Sequence, residues 1–221
     1  MHSIICLYAK PPVPGRTKSR LAADIGSHAA ADLARAMLLD LTEAVCAVPN
    51  ARPTIWHPPD SSPEEFMSLG LPDGIWFYPQ QGDDLGQRMW KTVELLLRHH
   101  PDSGVVIIGS DCITHSVETL VDAVDALVDH DVVIQPAADG GYVLVGQRTV
   151  QPAIFDGIEW GGDTVMASTR ERLRKHRINY IEMPETFDVD MVDDLERLRG
   201  FLADNDRPRT AAWLAAFDRE S

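Results

Sequence analysis

Four short stretches of the chain carry residue types that could do chemistry. The first, residues 10–20 (KPPVPGRTKSR), gathers the cations Lys10, Arg16, Lys18 and Arg20 without an intervening acid. Pro11, Pro12 and Pro14 stiffen its backbone, while Gly15 permits a turn or the close approach of a ligand. Arginine offers a planar fork and lysine a compact charge, so such a loop suits an anion, phosphate above all. The second is Gly109-Ser110-Asp111-Cys112, directly after the apolar, β-branched run 105–108. An acid beside small residues at the end of a strand can meet a metal or a nucleotide, and it serves equally as an N-cap or turn residue. The third, Asp139-Gly140-Gly141-Tyr142, lets the backbone approach a ligand and also reads as an Asp-Gly hairpin turn. The fourth is Asp188-Val189-Asp190, followed by Asp193 and Asp194. In an extended segment residues 188 and 190 share a side, and close carboxylates repel unless a proton or a cation lies between them. Ligation by oxygen alone favours Mg²⁺ or Mn²⁺ over zinc, and helix capping by Asp190 is compatible with that role.

Several familiar alternatives are absent. Gly15 does not open a Walker A loop, and no Gly-x-Gly-x-x-Gly follows the first apolar run. No Gly-x-Ser-x-Gly elbow supports a serine hydrolase. Nothing is arranged to activate Cys112 as a nucleophile, and His115 suits a structural role near Asp111. The 221 residues carry a formal net charge of −14, which argues against nucleic acid as a partner and makes the basic loop conspicuous. The three cysteines, Cys6, Cys46 and Cys112, suit reduced thiols. Without an apolar run long enough for a membrane span or a signal peptide, the expected location is the cytoplasm.

The elements that must position these residues follow from periodicity. Strands are expected at 3–9, 54–57, 75–78, 105–108, 131–135, 142–145 and 179–183, and helices at 27–48, 85–97, 116–128, 164–176 and 192–202. A weak helix is expected near 63–69. This alternation predicts a three-layer α/β/α sandwich with a mostly parallel central sheet, whose ligands collect at the carboxyl ends of the strands. A single domain over 1–221 is expected, with a helical tail from about 203. Trp213, Leu214 and Phe217 in that tail could pack on the chain itself or on a second copy in a homodimer.

Taken in order, these features resemble the DUF2064 group of glycosyltransferase A-like proteins, also described as radical-SAM/selenodomain-associated transferases. The markers are AKPPVPGRTKSRL at 9–21, DLGQRM at 84–89, GSDC at 109–112, PAADGGYVLVG at 136–146 and DVDMVDDL at 188–195. The resemblance implies a nucleotide-diphospho-sugar transferase (GT-A) fold and, more distantly, a likeness to guanylyl- and cytidylyltransferases. It implies that Lys10, Gly15, Arg16, Lys18, Arg20 and Ser110 contact a nucleotide and its phosphates. Asp111, with Asp188 and Asp190, would hold Mg²⁺ or Mn²⁺. Asp139 would position substrate and act as a candidate base, with Gly140, Gly141, Tyr142 and Trp160 facing the sugar or second substrate. The chain departs from the family pattern at Ile113-Thr114-His115, at Ser19 and at Gly161-Gly162-Asp163, the last bearing on acceptor choice. The expected activity is metal-dependent transfer from a nucleotide sugar to a small-molecule acceptor. The alternatives are nucleotidyl transfer from an NTP to a phosphorylated small molecule, or nucleotide binding without turnover.

Overall fold

The computed structural model describes residues 2–220; Met1 and Ser221, the ends of the expected domain range, lie outside the described residues. The strands are β1 (His2–Tyr8), β2 (Ala51–His57), β3 (Trp76–Pro79), β4 (Ser103–Gly109), β5 (Val132–Pro136), β6 (Tyr142–Gln147) and β7 (Tyr180–Glu182). The helices are α1 (Ser19–Ile25), α2 (Ser27–Cys46), α3 (Glu64–Met67), α4 (Leu85–His99), α5 (Val117–Asp129), α6 (Val165–Lys175), α7 (Asp194–Asp204) and α8 (Pro208–Glu220). The strands form one 7-stranded sheet in the order β3-β2-β1-β4-β6-β5-β7. β6 runs antiparallel to both its neighbours, and every other strand pairing is parallel. The short link 137–141 from β5 to β6 leaves no room for a crossover, so those two strands must pair antiparallel.

Burial on both faces explains the unbroken apolar runs. In β1, Ile5 and Leu7 enter one core with Leu33, Met37 and Leu41 of α2. Ile4 and Cys6 enter a second core with Met89, Val93 and Leu96 of α4. The period of two along a strand sends alternate side chains to opposite layers. Asp84 caps α4 by accepting from Gln87 N at 2.8 Å, and Ser116 caps α5 by accepting from Thr119 N at 3.1 Å.

The structure differs from the sequence expectation in three places, at α1, at the start of β2 and at the start of α7. A short helix, α1, occupies 19–25, directly after the basic loop. β2 begins at Ala51 rather than 54 and includes Pro53. Pro53 is tolerated because β3 comes alongside β2 only from Thr54 onward. α7 starts at Asp194, two residues late, because Asp194 Oδ2 first accepts from the backbone of Asp190 and Met191 at 3.0 and 2.8 Å and closes a turn. The tail is helical, as expected, and its helix α8 packs on α2 of its own chain. No helix among the described residues is long and apolar enough to cross a membrane.

Candidate functional site

At the carboxyl ends of β1 and β4 three chain segments are tied together. Ser110 N donates to the Tyr8 carbonyl at 3.0 Å, which joins the turn after β4 to the end of β1. Val189 N donates to the Asp111 carbonyl at 3.0 Å. That bond ties the Asp188–Asp190 segment to the Asp111 turn, with the fully buried Val189 as its anchor. Lys18 completes the knot: its ammonium pairs with Asp111 Oδ1 and donates to the Val189 carbonyl at 2.7 Å.

This knot lines a cleft of about 550 Å³. Of the residues singled out from sequence, Lys10, Lys18, Arg20, Ser110, Asp111, Tyr142, Asp188 and Asp190 face it. Gly15, Arg16, Asp139, Gly140, Gly141 and Trp160 do not line it. Arg16 turns toward α3, where it pairs with Glu65 and donates to the Asp60 carbonyl at 3.3 Å. It lines a neighbouring groove of about 500 Å³ whose walls include Lys10, Pro58, Asp60 and Arg88. Lys10, Pro58 and Arg88 belong to both spaces, so the groove continues the cleft. Gly15, in the left-handed region at φ 80°, shapes the loop between them.

Asp139 closes its own turn by accepting from Gly141 N at 2.8 Å. Gly140 has φ 89°, and a Cβ there would stand 2.1 Å from the Asp163 carbonyl oxygen, so only glycine fits against the 161–164 segment. Trp160 lies on Gly86, where an added Cβ would meet its ring at 2.6 Å, and makes an edge contact with Tyr142. These residues therefore wall the cleft from behind its lining.

Burial and crowding shape the electrostatics. Desolvation first, then the carboxylates of Asp190 and Asp139, push the Asp188 carboxyl up to about 6. Desolvation and the Asp111 carboxylate also raise Asp190, against the opposing pull of Lys18 and Arg20. The donor set is oxygen throughout, which suits Mg²⁺ or Mn²⁺. No group of three His, Cys, Asp or Glu among the described residues forms a ready-made cage. Mg²⁺ does not require one, because it is held by one or two carboxylates with substrate phosphates completing the shell. Asp111 and Asp190 fit that half-site, with Asp188 close behind.

Two conspicuous residues are placed out of play. Burial raises the Cys112 thiol to about 11, which leaves no thiolate at neutral pH. His115 is fully buried and absent from the cleft lining. The cleft also includes residues that sequence reasoning did not single out: Tyr8, Thr17, Gln80, Arg88 and Met89. Arg88 and Met89 fall within the DLGQRM marker, so they were within reach. Gln80, bound to the Trp56 carbonyl at 2.9 Å, carries no such signal.

The sheet order, with its antiparallel β6 and a cleft at the carboxyl ends of β1 and β4, defines a nucleotide-diphospho-sugar transferase-like α/β protein. The family model described as "Uncharacterized protein conserved in bacteria (DUF2064)" matches residues 41–162, and the chain belongs to that family. Among solved structures it is similar to a candidate nucleotide-diphospho-sugar transferase from Desulfovibrio desulfuricans G20. That pair shares 34% identity at a TM-score of 0.92 over 99% of this chain and 96% of the other. CMP:2-keto-3-deoxy-manno-octonic acid synthetase complexed with CTP shares the fold at 14% identity and a TM-score of 0.57, over 92% of this chain and 99% of that one. A Mycobacterium tuberculosis H37Rv protein solved with manganese does so at 18% identity and a TM-score of 0.50, over 89% and 97%. No protein of curated function matches the sequence.

Proposed function

We propose that this protein is a metal-dependent transferase acting on a nucleotide-diphospho-sugar donor. The observation that carries the reading is the convergence of Lys10, Lys18, Arg20 and Arg88 with Asp111, Asp188 and Asp190 on one cleft in a strongly acidic chain. Cations serve the diphosphate, and paired carboxylates serve its counter-ion. Asp111 and Asp190 would hold Mg²⁺ or Mn²⁺, with Asp188 supporting, and the ion would supply Lewis-acid stabilisation of the departing nucleoside diphosphate. Lys10, Arg20 and Arg88 orient the phosphates, and Lys18 stabilises negative charge as the glycosyl bond breaks. Ser110 lies beside Asp111 as a phosphate or ribose donor. Asp139 keeps a positioning role, fixing the Gly140-Gly141 turn that carries Tyr142, while Trp160 backs Tyr142 on the acceptor side. Arg16, which lines the neighbouring groove, extends the anion path beyond the cleft.

That groove favours a second reading, nucleotidyl transfer from an NTP, because a continuation lined by Lys10, Arg16 and Arg88 accommodates a longer polyphosphate or a phosphorylated acceptor. The kinship in fold with a synthetase solved with CTP points the same way. The two readings separate by product. Incubation with panels of nucleotide sugars and of NTPs, each with Mn²⁺ and a mixed pool of sugar, phosphorylated and carboxylated acceptors, should release nucleoside diphosphate for glycosyl transfer and pyrophosphate for nucleotidyl transfer. Release of neither across both panels would contradict an enzymatic role.

A further inference from the structure

Lys18 is engaged by acceptors of the protein itself. Its backbone adopts the left-handed conformation, φ 45° and ψ 49°, at the residue before α1. Non-glycine residues adopt that region at an energetic cost, and such residues cluster at functional sites. The strained backbone aims a side chain that is 1% exposed, whereas its partner Asp111 is 48% exposed toward the cleft. Two of the ammonium's three donors are committed, to Asp111 Oδ1 and to the Val189 carbonyl. Both acceptors are oxygens of the kind that a hard divalent cation would also take as ligands.

We propose that Lys18 is the resident counter-ion of Asp111, and that a divalent cation is held there only when nucleotide phosphate draws the ammonium away. Metal and nucleotide would then enter together rather than metal first. The proposal rests on the reading of Asp111 and Asp190 as the carboxylates of the metal. An ammonium and a divalent ion on the same carboxylate would stand a few ångströms apart and repel strongly in a partly buried site. A phosphate oxygen can accept the charge-assisted hydrogen bonds that Lys18 gives up, which lets the ammonium swing out without losing its partners. The exchange makes metal and phosphate mutually reinforcing ligands, each raising the affinity of the other by the same factor.

The test is Mn²⁺ binding to the full chain without nucleotide, read by the paramagnetic resonance of the free ion. Lys18→Met is expected to bind Mn²⁺ at least tenfold more tightly than wild type. Lys18→Arg, which keeps a cation, is expected to stay within a few-fold of wild type. Adding Asp111→Asn to Lys18→Met should abolish the gain. If Lys18→Met binds no more tightly while Asp111→Asn still weakens the wild-type interaction, the metal reading stands and the counter-ion proposal is overturned. If the gain survives Asp111→Asn, the ion lies elsewhere and the site reading itself is overturned. Should Lys18→Met not fold, Lys18→Gln, which removes the charge and keeps a hydrogen-bond donor, is measured in its place, with the same tenfold gain expected and an unchanged affinity overturning the proposal.

Discussion

At the scale of single residues, the account turns on carboxylates held close together and on one buried histidine. Asp111→Asn and Asp190→Asn keep the side-chain shape and remove a charge, so each should lower kcat by at least about a hundredfold, as loss of a charge-stabilising group commonly does. Steady-state kinetics on the turned-over donor checks this, and activity within a few-fold of wild type in both variants contradicts it. His115 gives a prediction about stability. Complete burial, with Arg207 nearby, holds its folded pKa down at about 4 against an ordinary 6.5. Between those values the unfolded chain binds the proton and the folded chain does not, so stability is lost as pH falls from 6.5 toward 4. The loss amounts to about 3 kcal/mol over the window. Asp188 acts in the opposite sense: its raised pKa favours the protonated folded form, a contribution present below 3.8 and lost as pH rises through about 6. Comparing urea unfolding of wild type and His115→Leu at pH 4.5 and 7 isolates the histidine. The gap between the two pH values should shift by roughly 2 kcal/mol toward greater acid stability in the variant, and an unchanged gap refutes the assignment.

Among the elements, α8 shows how a segment outside the cleft can serve it. Asp40 of α2, with a side chain only 1% exposed, accepts from Thr210 N at 2.9 Å and Thr210 Oγ1 at 2.7 Å and pairs with Arg209. It thereby caps α8 from a different helix. Arg207, at the entry to α8, donates to the carbonyls of Ile113 and His115 at 3.1 and 2.8 Å. The tail thus braces the turn that carries Asp111. Asp40→Ala leaves buried donors unpaired and should cost roughly 3 kcal/mol of stability, measured by urea unfolding; a cost below about 1 kcal/mol would show that the latch is dispensable. None of this was legible in the sequence, where Trp213, Leu214 and Phe217 could serve a second copy as well as the chain itself. α1 was hidden for a different reason: seven residues against a cation-rich loop carry too little periodicity to register. The central strands β1, β4, β5 and β6 were legible because burial on both faces demands continuous apolar runs. Exact strand ends were not: Pro53 can stand in β2 only because β3, distant in sequence, comes alongside from Thr54 onward.

For the molecule as a whole, the acidic surface and the basic loop make a single statement. A chain of net charge −14 brings Lys10, Lys18, Arg20 and Arg88 together with its crowded carboxylates at one end of the sheet, where parallel strands present their ligands. Much of the candidate site could be read in advance because loop, turn and acid pair each follow a strand, and strand order brings them together. Arg88 and Gln80 could not be read so directly, since only the packing of α4 and the chain after β3 carries them to the cleft. Arg16 and Asp139 were legible as motifs but are turned aside, by Glu65 in one case and by a backbone turn in the other. The central claim is that the Asp111 turn and the basic loop together bind a nucleotide with a divalent cation. Thermal unfolding of wild type and Asp111→Asn, across UDP, GDP, CDP, ADP, dTDP and the NTPs with and without Mn²⁺, tests it most directly. At about a hundred times Kd, binding adds about 2.7 kcal/mol. The account predicts a Mn²⁺-dependent rise in Tm with one base that disappears in Asp111→Asn; no rise with any nucleotide, or one undiminished in the variant, would contradict it.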